Sequence, residues 1–162
     1  CTAAFLRMEH SPTSLQNKTF NMPDNKSVSE YANQRANNKL FGFEIRNKLF
    51  AGEDAFFKKR DDVAGMAAED GKIILNPYSK LTPQQFNLVA MNEALRLKMR
   101  KDGFNPEFAI TDEQKKFFEG TEYQDNPEFI RKTILGRIYS GDKSAMATEE
   151  QRSVLNKYLG SK

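Results

Sequence analysis

Few side chains in this sequence could do chemistry. There is a single histidine, His10, so a nucleophilic triad or a metal centre built on several histidines is excluded within one chain. His10 stands in a polar stretch and reads as a solvated residue rather than a general base. There is also one cysteine, Cys1; it allows neither an intramolecular disulfide nor a cysteine metal cluster. Cys1 stands first in place of methionine and admits three readings: a processed or truncated start, the acylated first residue of a lipoprotein, or an N-terminal nucleophile with its own amine as base. The HExxH, GxGxxG, GK[ST] phosphate-loop and calcium-loop patterns do not occur. No cofactor and no metal site are expected.

Carboxylates are the remaining catalytic candidates. Adjacent acids occur at Glu53-Asp54, Asp61-Asp62, Glu69-Asp70 and Glu149-Glu150. Neighbours in sequence do not face each other on a helix, and the first and last pairs sit where helix starts favour acids. Glycoside hydrolysis needs two carboxyls roughly 5–9.5 Å apart across a cleft. Glu93 is the one acid set mid-helix among apolar residues (Ala90, Met91, Ala94, Leu97). Burial there would raise its pKa and suit it to act as an acid; the competing expectation is a structural ion pair with Arg96, Arg100 or a neighbouring helix.

Aromatic and basic residues interleave in Phe56-Phe57-Lys58-Lys59-Arg60 and Lys115-Lys116-Phe117-Phe118. That is how single-stranded nucleic acid is gripped, and it is also how an amphipathic helix looks when its aromatics face a core. Lys98, Arg100 and Lys101 fall in a helix's last turn, where cations offset the dipole. The net charge of +3, from 25 basic and 22 acidic residues, is small for a dedicated nucleic-acid binder. The sequon matches at Asn17 and Asn25 read as chance in an Asn-rich stretch.

The elements that would position such groups divide the chain in two. With 162 residues it is one domain by size, large enough to bury roughly 70% of its unfolded surface. Only 38% of residues are hydrophobic, but 13 Phe and 5 Tyr each bury a large area. Residues 1–40 are rich in Asn, Ser, Lys and Gln, and their apolar residues lack a period of 2 or 3.6. They read as a polar, extended arm ordered by contact, with room for a short helix from Ser29 to Leu40. The arm's expected partner contacts are Phe20, Met22 and Tyr31 as apolar anchors and Lys18, Lys26 and Arg35 as charged ones.

Residues 41–162 read as a mainly α, compact domain of four to six helices with at most one short β-hairpin. Glu53–Arg60 suits a short helix, with acids first and bases last. Asp70-Gly71 is a hairpin-turn signal, and Lys72–Leu75 (KIIL) is strand-like before Asn76-Pro77 breaks it. Thr82-Pro83-Gln84-Gln85, Thr111-Asp112-Glu113-Gln114 and Thr148-Glu149-Glu150-Gln151 are capping boxes, and Asn126-Pro127 is a fourth helix start. The helix from Pro83 to about Lys101 has apolar residues on more than one stripe, which places it centrally. The next stops at Gly120, another covers Pro127–Tyr139, and the last ends at Gly160. No apolar run approaches the ~20 residues of a membrane span, and no signal-peptide pattern is present.

Three stretches, Ala67–Leu81, Asn92–Leu97 and Arg137–Asp142, together resemble small uncharacterised proteins of tailed, particularly short-tailed, bacteriophages. The resemblance spans about residues 48–160. It carries no site residues. It implies a virion-associated part: capsid, decoration or head-to-tail component. The expected function is therefore a non-enzymatic structural protein located in the virion (cytoplasmic if not phage-borne) that docks through its arm. Its expected partners are other protein subunits, as a homo-oligomer or a larger virion assembly, with nucleic acid disfavoured. The alternatives are a cell-wall polysaccharide hydrolase using Glu93 and a small nucleic-acid-binding accessory protein.

Overall fold

The computed structural model describes residues 20–21, 28, 30–32, 40–46 and 48–160. In chain order these form β1 (Phe20–Asn21), β2 (Leu49–Phe50), α1 (Ala51–Lys59), β3 (Gly65–Ala67), β4 (Ile73–Leu75), α2 (Pro83–Asp102), α3 (Asp112–Lys116), α4 (Pro127–Ser140), a 3-10 turn (Lys143–Ala145) and α5 (Glu149–Gly160). The fold is mainly helical, as expected, and the short hairpin is β3–β4. A second, minimal ladder joins β1 to β2, antiparallel, with Phe20 opposite Phe50 and Asn21 opposite Leu49.

The hairpin forms where Asp70-Gly71 permits a reversal. Gly71 takes φ +80°, and the Lys72 N–H donates to Asp70 Oδ1 at 3.1 Å. Gly65 pairs with Leu75, Met66 with Ile74 and Ala67 with Ile73. Every residue of both strands is buried, because each face has its own cover. Met66 and Ile74 pack with Leu49, Phe57 and Val63 on the α1 side. Ala67, Ile73 and Leu75 pack with Phe86, Val89, Ala90, Ala94 and Leu97 of α2 on the other. A strand covered on both faces reads as an unbroken apolar run, which is why KIIL does not alternate.

Helix α2 obeys its start and stop signals. Thr82 Oγ1 accepts the Gln85 N–H at 3.3 Å, and Gln85 Oε1 accepts the Thr82 N–H at 2.9 Å. At the far end Gly103 turns left-handed (φ +65°), and the Phe104 N–H reaches back to the Met99 carbonyl at 2.9 Å, a Schellman closure. Phe86, Val89, Ala90, Ala94 and Leu97 face the hairpin. Leu95 and Met99 face a second cluster with Phe129, Ile130, Ile134 and Leu135 of α4, Leu155 of α5, Phe108 and Phe118. The expected central position follows from this two-sided burial. Helix α3 departs from expectation: it ends at Lys116, and successive i→i+3 bonds carry the chain on to a left-handed Gly120 (φ +76°). The tighter turns seat Phe118 in the second cluster.

Helices α2 and α4 cross at close range. A Cβ on Gly136 would lie 1.7 Å from Asn92 Oδ1 and 2.7 Å from its Cγ. Only a residue without a side chain fits. Gly136→Ala is expected to cost about 1–3 kcal/mol in urea-unfolding stability, as overpacking does. Adding Asn92→Ala should recover most of it, since Asn92 Oδ1 is buried without a donor among the described residues. A loss that the second substitution leaves unchanged would refute the steric explanation.

Candidate functional site

The expected arm contacts fare differently. Lys18, Met22, Lys26 and Arg35 lie outside the described residues, as do His10 and Cys1. Phe20 contributes its backbone to the β1–β2 ladder. Tyr31 is seated against its own chain. It is 3% exposed and packs, with Val28, against the cluster of Ala64, Ala67, Ile73, Leu75 and Phe86. Its hydroxyl donates to Asn87 Oδ1 of α2 at 2.8 Å. The reason is chemical: an apolar ring with one polar tip satisfies both an apolar cluster and an amide acceptor.

The body therefore carries a seat for the N-terminal segment. Its parts are the backbone of Leu49–Phe50, paired as a strand edge, and the apolar cluster of hairpin and α2 residues against which Val28 and Tyr31 pack. The seat itself is held by ion pairs. Arg46 Nη1 and Nη2 donate to Glu53 Oε1 and Oε2, each at 2.9 Å, and Arg46 Nε donates to Asp70 Oδ2 at 2.9 Å. Burial depresses the Arg46 pKa, but Glu53 and Asp70 more than offset it, so the net shift is upward. Glu53 Oε1 also takes the Phe50 N–H at 2.8 Å, which fixes the first turn of α1 directly behind β2. An Arg–carboxylate fork is the geometry that holds a backbone segment in one place.

Glu93 is 3% exposed, in a seam between the two core clusters. Its neighbour Arg96 is 2% exposed; the guanidinium donates to Thr133 Oγ1 of α4 at 2.5 Å and lies 4.4 Å from the Phe129 ring centroid. Each of the two aromatic–basic stretches turns one ring inward. Phe57 is fully buried and Phe118 nearly so, while Lys58, Lys59, Lys115 and Lys116 are exposed. Phe56 and Phe117 are half-buried, and the Arg60 guanidinium lies 5.8 Å from the Phe56 ring centroid.

Several structural residues escaped the sequence reading. The third residues of two capping boxes, Gln114 and Gln151, are both buried and bond each other reciprocally, at 2.7 and 2.8 Å. Gln114 Nε2 also donates to the Ala145 carbonyl at 2.9 Å, and Gln151 Nε2 to the Ala109 carbonyl at 3.0 Å. The boxes were legible; their mutual docking depends on tertiary placement. Buried Asn76 donates to the carbonyls of Arg60 (2.9 Å) and Val63 (2.6 Å) and accepts the Tyr78 N–H at 2.8 Å. In sequence its place before Pro77 shows only a strand breaker.

One surface cluster joins α2 to α5. Asp102 Oδ2 accepts from Lys98 Nζ at 2.8 Å and from the Tyr158 hydroxyl at 2.6 Å, and Phe104 stacks on Tyr158 with centroids 4.1 Å apart. Among the described residues no group of three or more His, Cys, Asp and Glu could hold a metal ion, and no helix is long and apolar enough to cross a membrane. No family model, curated protein or solved structure matches this chain.

Burial, then the hydrogen bond to Asp102, pushes the Tyr158 pKa well up. The hydrogen bonds from Lys98 and Tyr158 hold Asp102 below the usual carboxylate range. A raised tyrosine pKa stabilises the fold fully below about pH 10 and loses that contribution as pH rises through the folded value. The depressed Asp102 contributes above about pH 4 and loses it as pH falls further. In an ultraviolet phenolate titration, Asp102→Asn should bring Tyr158 part of the way back toward the ordinary tyrosine value. An unchanged titration would refute the pairing.

Proposed function

We propose that this chain is a non-enzymatic structural protein that assembles with other protein subunits, with its N-terminal segment as the docking element. The observation that carries the reading is the seat. The segment is held by discrete anchors, a two-residue ladder onto Leu49–Phe50 and the Tyr31 ring with its bond to Asn87. Strand addition plus a side-chain pocket is a standard way for one chain to take up a segment of another. A seat that accepts the chain's own segment accepts the same segment from a second copy, the low-cost route to exchange between protomers. The resemblance of residues 48–160 to short-tailed phage proteins supports a bacteriophage virion as the assembly, with the chain as capsid, decoration or head-to-tail part. Lys18, Lys26 and Arg35 are the charged contacts in this scheme, and Phe20 and Met22 join Tyr31 as its apolar ones.

Two measurements test it. Mass spectrometry of purified particles should recover the protein at a fixed copy number; its absence would overturn the virion reading. In sedimentation velocity, the full chain should self-associate as concentration rises. The triple variant Lys18→Glu, Lys26→Glu, Arg35→Glu should weaken that association about tenfold or more with its melting temperature little changed. Association equal to that of the unmodified chain would remove the segment from the docking role.

A further inference from the structure

A second site lies where α4 gives way to α5. Gly141 ends α4 in a left-handed turn (φ +79°), and Asp142 caps the 3-10 turn that follows. Asp142 Oδ1 accepts the Ser144 N–H at 2.9 Å and the Ser144 hydroxyl at 2.6 Å. Ser144 Oγ is further tied to α4 by Arg137 Nη1 at 3.0 Å. The other carboxylate oxygen, Asp142 Oδ2, is buried and takes no donor among the described residues. The carboxylate's charge acts on the buried Arg137 guanidinium beside it.

Met146 follows, held left-handed at φ 48° and ψ 48°. A non-glycine residue pays strain in that region, and strained residues of this kind gather where ligands are clamped. At 37% exposure it is also the large apolar side chain left open to solvent among the described residues. It borders a cavity of about 250 Å³, whose apolar wall includes Ile138 and Ala145 and whose polar wall is Asp142, Lys143 and Arg152. Lys143 and Arg152 are both exposed.

We propose that this cavity is a docking site for an acidic segment of another protein chain. Its volume falls below the roughly 300–1,000 Å³ of a drug-sized ligand pocket and suits one side chain. Two cations against one carboxylate give the rim a net positive sign, which selects and steers an acidic partner. The partner's carboxylates meet Lys143 and Arg152. An apolar side chain enters against Ile138, Ala145 and Met146. Pairing a strained, exposed methionine with an adaptable thioether contact fits a surface made to receive more than one apolar shape. The site goes beyond the assembly reading, and its test uses neither particles nor oligomers.

The full chain, labelled with nitrogen-15, is titrated with the blocked peptide acetyl-Glu-Leu-Glu-Glu-amide and, separately, with acetyl-Lys-Leu-Lys-Lys-amide. The acidic peptide should shift amide resonances within residues 138–152 and bind more weakly as salt rises. The basic peptide should leave them in place. Arg152→Glu, at an exposed position, should weaken the acidic peptide about tenfold or more while the rest of the spectrum stays put. Met146→Ala is a second variant, expected to weaken binding without changing its salt dependence. Absence of localised shifts, an equal response to the basic peptide, or binding indifferent to Arg152→Glu would each overturn the proposal.

Discussion

The crossing of α2 (Pro83–Asp102) and α4 (Pro127–Ser140) is the constraint on which the rest depends. Gly136 removes the one side chain that Asn92 cannot tolerate. That close approach brings Arg96 to Thr133 and sets it over the Phe129 ring. It also turns α2 so that one face meets the hairpin and another meets α4 and α5. Two apolar clusters thus hang on one helix, with a polar seam of Asn92, Glu93 and Arg96 between them. Buried polar groups fix a crossing more strictly than apolar contact does, because a shift leaves donors and acceptors unmet.

A chain with only 38% hydrophobic residues cannot rely on apolar burial alone to set its connections. Side-chain amides and ion pairs do that work. Asn76 gathers the backbone after α1, the Gln114–Gln151 pair clasps two helix starts and the 3-10 turn, and the Arg46 fork links Glu53 to Asp70. Each tie joins segments distant in sequence, so each stabilises a loop that has little apolar surface of its own. Among the described residues of the N-terminal segment, a two-residue ladder, the buried Val28 and Tyr31, and one hydrogen bond from the Tyr31 hydroxyl make the contact with the body.

Much of the helical framework was legible because its signals are local. Thr82, Pro83 and Gly103 bound α2, and Asn126, Pro127 and Gly141 bound α4, through bonds reaching no more than five residues. The hairpin followed from Asp70-Gly71 and KIIL. What stayed illegible depends on partners far along the chain. Nothing within a few residues of Tyr31 indicates that Asn87 awaits its hydroxyl. The glutamines of the capping boxes look like ordinary local caps until their second bonds are seen. Phe41 sits at φ 53° before Gly42 in a tight turn, where a bulky residue is unexpected; its ring packs 5.2 Å from Tyr139 of α4, a tertiary contact that outweighs local preference. The loop at Asp142 and Met146 likewise contains no motif, and its cavity exists only because α5 returns beside α4.

If α2 is the shared support of both clusters, the two cannot open independently. Native-state hydrogen exchange on the isolated chain addresses this directly. Amides in the buried part of α2 (89–99), in β4 and in α4 (130–138) should exchange only through one common opening, with an exchange free energy equal to the unfolding free energy from denaturant titration. Distinct opening free energies for the hairpin side and the α4–α5 side, with α2 protected in only one of the two openings, would contradict the account.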